Sequence, residues 1–156
     1  MNVRRAVPQD AESLASTARR AITITAAHAY DDAQVNQWSG HFTDTLLADS
    51  IATTTVFVVE DGRTMCGFAN LLVAPGGRAV LDHLYVDPDY VGRGLARLAV
   101  GAVETEATRR RVPRLWVDAS LLAAPVLEHL GYVVEERYDK LVGALTYPNA
   151  WLSKPL

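Results

Sequence analysis

Asp82 and His83 lie inside an otherwise apolar run, Val80-Leu81-Asp82-His83-Leu84-Tyr85-Val86. A titratable group in such a run must be hydrogen-bonded, paired or functional, because a bare charge among apolar side chains is costly. Histidine has the ordinary pKa better suited to taking a proton near neutral pH, and both residues are candidate general bases. Strict alternation along a strand puts Asp82 with Leu84 and Val86 on one face and His83 with Tyr85 on the other. Further on, Gly92-Arg93-Gly94 opens a segment in which Leu95, Leu98, Ala99, Ala102 and Val103 recur at helical spacing. The first amides of a helix have no intrahelical acceptor and favour an anion, and glycines there let a diphosphate approach without meeting a Cβ. Two hydroxyls complete the set. Ser120 ends a later strand, where it could donate to a leaving group or cap the helix that follows. Tyr30, Gln34 and Trp38 fall four residues apart, so a helix would carry them on one face. That face is either ordinary aromatic core or the roof of a substrate pocket, since it offers apolar bodies with polar tips.

The elements that must position these groups follow from pattern and breakers. Residues 80–86 read as a buried central strand, ended by Asp87-Pro88-Asp89, because Pro lacks an amide for the ladder. Strand, glycine turn and helix start is a phosphate-binding arrangement, yet two familiar versions fit poorly. A P-loop needs Lys-Ser or Lys-Thr after its last glycine, and a dinucleotide fingerprint needs a third small glycine position, where Ala96 stands, near the chain's start. Upstream, residues 2–7 form a first strand, Asp10 can cap a helix striped by Leu14, Ala18, Ala21 and Ile22, and a second helix starts at Asp31 or Asp32. Residues 53–60 read as a β-branched strand, Asp61-Gly62 as a hairpin turn, and 64–73 as the returning strand, with Gly67 a bulge or a close backbone approach. Downstream, Arg109-Arg110-Arg111 offsets the dipole at the long helix's C-terminal end. A strand at 114–118, a short helix begun by Pro125 and closed by Gly131, and an antiparallel pair at 132–138 and 144–152 complete the chain.

Composition bounds the function. At 156 residues and 49% hydrophobic, one domain can bury a full core. A net charge of −3 gives no basic excess for a nucleic-acid partner. The single cysteine, Cys66, rules out an internal disulfide framework and a cysteine-rich metal site, and it lies in an apolar run where it reads as core. No metal site is expected. Arg4, Arg5 and Asp10 interrupt any leader-like apolar run and nothing reaches membrane-spanning length, so a cytoplasmic location is expected.

These motifs resemble the GNAT superfamily of acetyl-CoA-dependent N-acetyltransferases. The family's hallmark is Q/R-x-x-G-x-G/A at a helix start, preceded by a strand ending like L-Y-V-x-P. Here these are Leu84-Tyr85-Val86-Asp87-Pro88 and Val91-Gly92-Arg93-Gly94-Leu95-Ala96. The resemblance covers nearly the whole chain, and the branch it looks most like is that of the bacterial YafP-like proteins. It implies a single α/β (α+β) domain over residues 1–156, with a mixed, mostly antiparallel twisted central sheet flanked by helices. It also implies that acetyl-CoA is the cofactor, with its pyrophosphate on Val91, Gly92, Arg93, Gly94, Leu95 and Ala96. Its pantetheine arm would pair with the backbone of Leu84, Tyr85 and Val86 like an added strand. One of the arginines 109–111 could then meet the cofactor's 3′-phosphate.

The implied reaction is transfer of acetyl to a primary amine of a small acceptor. An alkylamine with a pKa of roughly 10 is mostly protonated at neutral pH, so a base must take its proton. Asp82 and His83 are the candidates, with Tyr30 and Ser120 as donors to the leaving thiolate. Gln34 and Trp38 join Tyr30 as the acceptor's wall. The sequence departs from the family at Val91, where Gln or Arg is usual, and at Leu127, which falls where many members carry a general-acid tyrosine. Those departures leave a second class open, a catalytically weak acyl-CoA-binding or sensing domain. The resemblance also implies a candidate homodimer interface on the C-terminal strands.

Overall fold

A computed structural model describes residues 1–156. Strands β1 (Asn2–Arg5), β2 (Thr55–Asp61), β3 (Thr64–Val73), β4 (Ala79–Val86), β5 (Arg114–Ser120), β6 (Val133–Val142) and β7 (Leu145–Pro155) form one sheet ordered β1-β2-β3-β4-β5-β7-β6. All neighbouring pairs are antiparallel except β4 and β5. Helices α1 (Ala11–Arg20), α2 (Asp32–His41) and α3 (Asp44–Thr53) precede β2, α4 (Leu95–Arg109) joins β4 to β5, and α5 (Ala123–His129) follows β5. A parallel pair needs such a crossover, and α4 supplies it.

Local chemistry accounts for most of these boundaries. Asp31 caps α2 by accepting from the Gln34 amide at 2.8 Å, while Gln34 Oε1 accepts from the Asp31 amide at 2.9 Å, a reciprocal capping box. Thr43 caps α3 through the Leu46 amide at 3.1 Å. This third helix occupies a stretch in which only two helices are expected before the hairpin, and it pushes the next strand's start from 53 to 55. Its apolar residues Leu46, Leu47 and Ile51 are too few for a clear stripe. After Arg20, α1 loosens into a π turn over Ala21–Thr25 and a 3₁₀ turn over Ala26–His28, a departure from regular helix often found at functional sites.

The sheet is packed on both faces. On one, α4 and α5 bury Leu95, Ala99, Val100, Val103 and Leu127 against Leu81, Leu115, Val117 and Leu152. On the other, α1, the π turn after it and α3 bury Leu14, Ala15, Ala18, Ile22 and Leu47 against Val58 and Phe68, joined by Tyr30 and Tyr147. Each fully buried leucine contributes about 1.5–3 kcal/mol relative to exposure. No helix is long and apolar enough to cross a membrane.

Two irregularities shape the centre of the sheet. β4 and β5 are joined only at Ala79–Leu115 and Val80–Trp116. Beyond that they run to Val86 and Ser120 without pairing each other, leaving a wedge-shaped cleft whose β4 edge has unspent backbone groups. The register between β3 and β4 also shifts between Ala69 and Leu71, a bulge in which Asp82 and His83 of β4 oppose the single residue Asn70.

Candidate active site

Asn70 is fully buried. Its Oδ1 accepts the backbone N–H of His83 at 2.6 Å and its Nδ2 donates to Thr54 Oγ1 at 3.2 Å. The side chain thereby replaces the ladder partner that the bulge removes. His83 with Tyr85 and Leu84 with Val86 lie as alternation along β4 predicts, but the bulge changes the start of the strand. Leu81, Leu84 and Val86 all pack on the α4 side, whereas unbroken alternation would have separated Leu81 from the other two. His83 and Tyr85 pack on the α1 side, near Phe42 and Phe68. Asp82 is not set apart with Leu84 and Val86: its Oδ2 comes within 3.6 Å of His83 Nε2.

The two candidate bases therefore meet beside the cleft. The Asp82 side chain is 39% exposed and that of His83 14%. Burial pulls the His83 pKa below its ordinary range; the Asp82 charge opposes this and His41 reinforces it. His83 is thus neutral at physiological pH, with Nε2 towards Asp82 and Nδ1 buried without a partner. A neutral imidazole next to a carboxylate can accept a proton and have the resulting charge balanced.

At the cleft's outer end, β4 passes through a 3₁₀ turn, Pro88–Tyr90, into Gly92-Arg93-Gly94. Both glycines take positive φ, 81° and 79°, which L side chains rarely adopt, and a Cβ at either would meet no atom within 4 Å. No protein group accepts from the amides of Val91, Gly92, Arg93 or Gly94, and those of Leu95 and Ala96 begin the first turn of α4. Six successive amides are thus free of helical partners around an open hollow, a good fit to a diphosphate. Asp87 and Asp89 would oppose an anion there, but Arg20 at the end of α1 pairs with both, at 2.9 and 3.0 Å. Gly67, under β4, would place a Cβ 2.9 Å from the Tyr85 carbonyl oxygen, which is the close backbone approach expected for it.

The remaining hydroxyls converge on the end of β5. Tyr30 Oη accepts the Leu121 N–H at 2.9 Å and donates to the Pro148 carbonyl over a long 3.5 Å. Burial raises its pKa, with the Leu121 amide and Ser120 opposing, so it stays protonated at neutral pH, and only the long bond to Pro148 occupies its proton. Ser120 Oγ accepts from the Ala123 amide at 3.2 Å, capping the turn into α5. Trp38 packs edge-on to Tyr30, 5.3 Å between ring centroids, and donates from Nε1 to Tyr85 Oη at 3.0 Å. Gln34 donates from Nε2 to the Thr146 carbonyl at 2.8 Å, so its amide ties α2 to β7. Leu127 is fully buried among the α4-side side chains and presents no acid to the cleft.

Several groups escape a sequence reading. Asn70 shows only as one polar residue in an apolar strand, and the Arg20–Asp87 pair spans too long a separation for any local signal. Asp118 accepts from Tyr138 Oη at 2.7 Å, Lys140 Nζ at 3.0 Å and Asn149 Nδ2 at 3.0 Å, a network assembled by three strands. The arginines at the end of α4 are placed far from the glycine turn. A helix of 15 residues spans about 22 Å, and Arg109 and Arg110 are taken up by Glu106 at 2.8 and 2.7 Å. They stand at the opposite end of α4 from residues 91–96. No group of three or more His, Cys, Asp or Glu residues could hold a metal ion.

Comparison with known proteins gives this geometry its setting. Residues 23–132 match the model of the acetyltransferase (GNAT) family. The chain is 28% identical over 133 residues to the N-acetyltransferase YafP of Escherichia coli K12, itself uncharacterised, covering 85% of this chain and 81% of that one. A GCN5-related N-acetyltransferase structure from Rhodopseudomonas palustris superposes with a TM-score of 0.90 at 28% identity, over 99% of this chain and 95% of that one. The fold is shared too with the PaiA N-acetyltransferase of Thermoplasma acidophilum, solved with coenzyme A: TM-score 0.83, 17% identity, 99% and 98% covered. The free amides at a helix start beside a splayed strand pair are thus the expected hardware of a known enzyme family: the chain belongs to the GNAT acetyltransferases, which use acetyl-CoA as their acetyl donor.

Proposed function

We propose that this protein transfers acetyl from acetyl-CoA to a primary amine of a small acceptor, by direct attack in a ternary complex. The observation that carries the reading is the run of free amides at residues 91–96, opening on the unpaired edge of β4. In this reading the amides of Val91, Gly92, Arg93, Gly94, Leu95 and Ala96 hold the diphosphate. The backbone of Leu84, Tyr85 and Val86 holds the pantetheine arm as an added strand. When bound, acetyl-CoA supplies an activated thioester carbonyl. His83 takes the amine's proton at Nε2, and Asp82 balances the imidazolium that results. Backbone N–H groups on the open edge of β4 face the oxyanion position. Tyr30 keeps a proton at Oη for the thiolate, in place of the tyrosine that Leu127 replaces, and Ser120 supports it by fixing the turn into α5. Trp38 and Gln34 hold the wall that carries Tyr30.

The buried Leu127 favours a second reading, an acyl-CoA-binding domain with little turnover. Thiol release from acetyl-CoA, followed over a panel of primary amines, separates the two. Amine-dependent release that a His83 variant loses supports transfer, whereas saturable binding of acetyl-CoA with no release on any amine supports the binding domain.

A further inference from the structure

The face of the sheet that carries His83 is only partly covered by helices. The side chains packed under α1, α2 and α3 end at Tyr147, and none comes from β5. Because Leu115, Val117, Ala119, Ala150 and Leu152 turn towards α4 and α5, the uncovered surface presents Trp116, Asp118 and Trp151. Arg78 lies across it, its guanidinium carbon 4.1 Å from the Trp116 ring centroid and 5.6 Å from that of Trp151. Two acids share this surface: Asp118 is already matched by Lys140, Tyr138 and Asn149, whereas Glu136, opposite Trp151 on β6, is exposed and stands beyond 4.0 Å of Arg78; Arg78 itself has no ion-pair partner within that distance. A guanidinium stacked on an aromatic face keeps its in-plane N–H fork free for a carboxylate or phosphate.

Its place along the sheet matters. Trp116 is opposite Val80, the last joined pair before the cleft opens. Asp82 and His83 stand two and three residues further along β4 and one strand across from Trp116, so the stacked guanidinium and the proposed base are separated by roughly 8–11 Å. An exposed carboxylate, Asp82, marks one end of this span and an unmatched cation the other.

We propose that Arg78, oriented by Trp116 and Trp151, is the acceptor's anion subsite. The amine substrate then carries a carboxylate or phosphate roughly 8–11 Å from the nitrogen that is acetylated. The inference rests on the acetyl-transfer reading above. A zwitterion of that length meets opposite charge at both ends. A diamine would set a cation against Arg78, and an α-amino acid, with one carbon between its charged groups, is too short.

The test is thiol release from acetyl-CoA with four probes of matched length: 6-aminohexanoate, 6-aminohexyl phosphate, hexylamine and 1,6-diaminohexane. The expected result is a preference of about tenfold or more in kcat/KM for one or both anionic probes. Arg78→Gln should remove that preference through KM with kcat retained, leave hexylamine unchanged, and be partly rescued by Arg78→Lys. The lower KM of the two anionic probes identifies the natural anion as carboxylate or phosphate. Equal use of hexylamine and 6-aminohexanoate, or an equal loss with both in Arg78→Gln, would overturn the subsite. Release from none of the four counts against the transfer reading, and the subsite is then judged by binding. With coenzyme A present, 6-aminohexanoate should change the tryptophan emission saturably in wild type and not in Arg78→Gln; no change in wild type would overturn it.

Discussion

Replacing His83 with Gln removes the proposed base while keeping a hydrogen-bonding side chain of similar size. Positioned proton transfer contributes typically about 10²–10⁴-fold, so kcat/KM for the best amine should fall within that range. Affinity for acetyl-CoA should stay within about twofold, because His83 points to the α1 side and away from the amides at 91–96. In wild type, burial lowers the His83 pKa. The acid limb of kcat/KM, measured with an amine of low pKa, should therefore lie below the ordinary histidine range and vanish in His83→Gln. Asp82→Asn should cost less, about tenfold, because its charge is partly screened by solvent. The assay is thiol release from pH 5 to 9, beside calorimetric titration of acetyl-CoA. Retention of more than a third of the activity in His83→Gln, or an equal loss of cofactor affinity, would refute the assignment.

Two further outcomes follow from the same geometry. Asn70→Ala leaves the His83 N–H buried and unpaired, a cost of about 1–3 kcal/mol. At roughly 2–4 °C per kcal/mol for a chain of this size, thermal unfolding should come about 2–12 °C earlier, with kcat falling alongside as the bulge relaxes. Glu106 is held by Arg109, against the opposing effect of burial, and by Arg110, which together bring its pKa down to about 2. Folded protein then binds fewer protons than unfolded protein. This carboxylate's contribution is complete above about pH 4.5 and is lost as pH falls towards 2. Glu106→Gln should lower the unfolding temperature at pH 7, and its deficit should shrink between pH 5 and 2 in a differential scanning series.

What sequence reading reaches here follows the range of the interactions. The cradle was readable because glycines, breaker and helix stripe are contiguous, and positive φ at Gly92 and Gly94 is a local demand. The hairpin turn and the caps of α2 are local in the same way. Alternation along β4 gives His83 with Tyr85 and Leu84 with Val86 as found, but it does not place Asp82, because the bulge opposite Asn70 depends on the neighbouring strand. The helical spacing of Tyr30, Gln34 and Trp38 holds only for the last two, because Tyr30 precedes the extended N-cap Asp31 of α2 and meets Trp38 by packing instead. It is silent about Trp38 reaching Tyr85 and Gln34 reaching Thr146, which need the packing of α2 on β4 and β7. Helix α3 carries too little amphipathic pattern to be seen before it is packed. Arg78 has no motif at all: its stacking depends on Trp116 and Trp151, brought together by the β5–β7 pairing.

The most direct test of the account is calorimetric titration of acetyl-CoA into wild type, Gly94→Asn and Gly94→Asp. Asn tolerates positive φ and adds no charge, so Gly94→Asn controls for backbone and bulk. A carboxylate about 4 Å from a diphosphate charge costs about 4 kcal/mol at an effective dielectric of 20; discounted by half for solvent, that is about 2 kcal/mol, or roughly thirtyfold in Kd. Saturable one-to-one binding in wild type, weakened roughly thirtyfold more in Gly94→Asp than in Gly94→Asn, is the predicted result. No binding of millimolar acetyl-CoA to wild type, or equal affinity in the Asp and Asn variants, would contradict it.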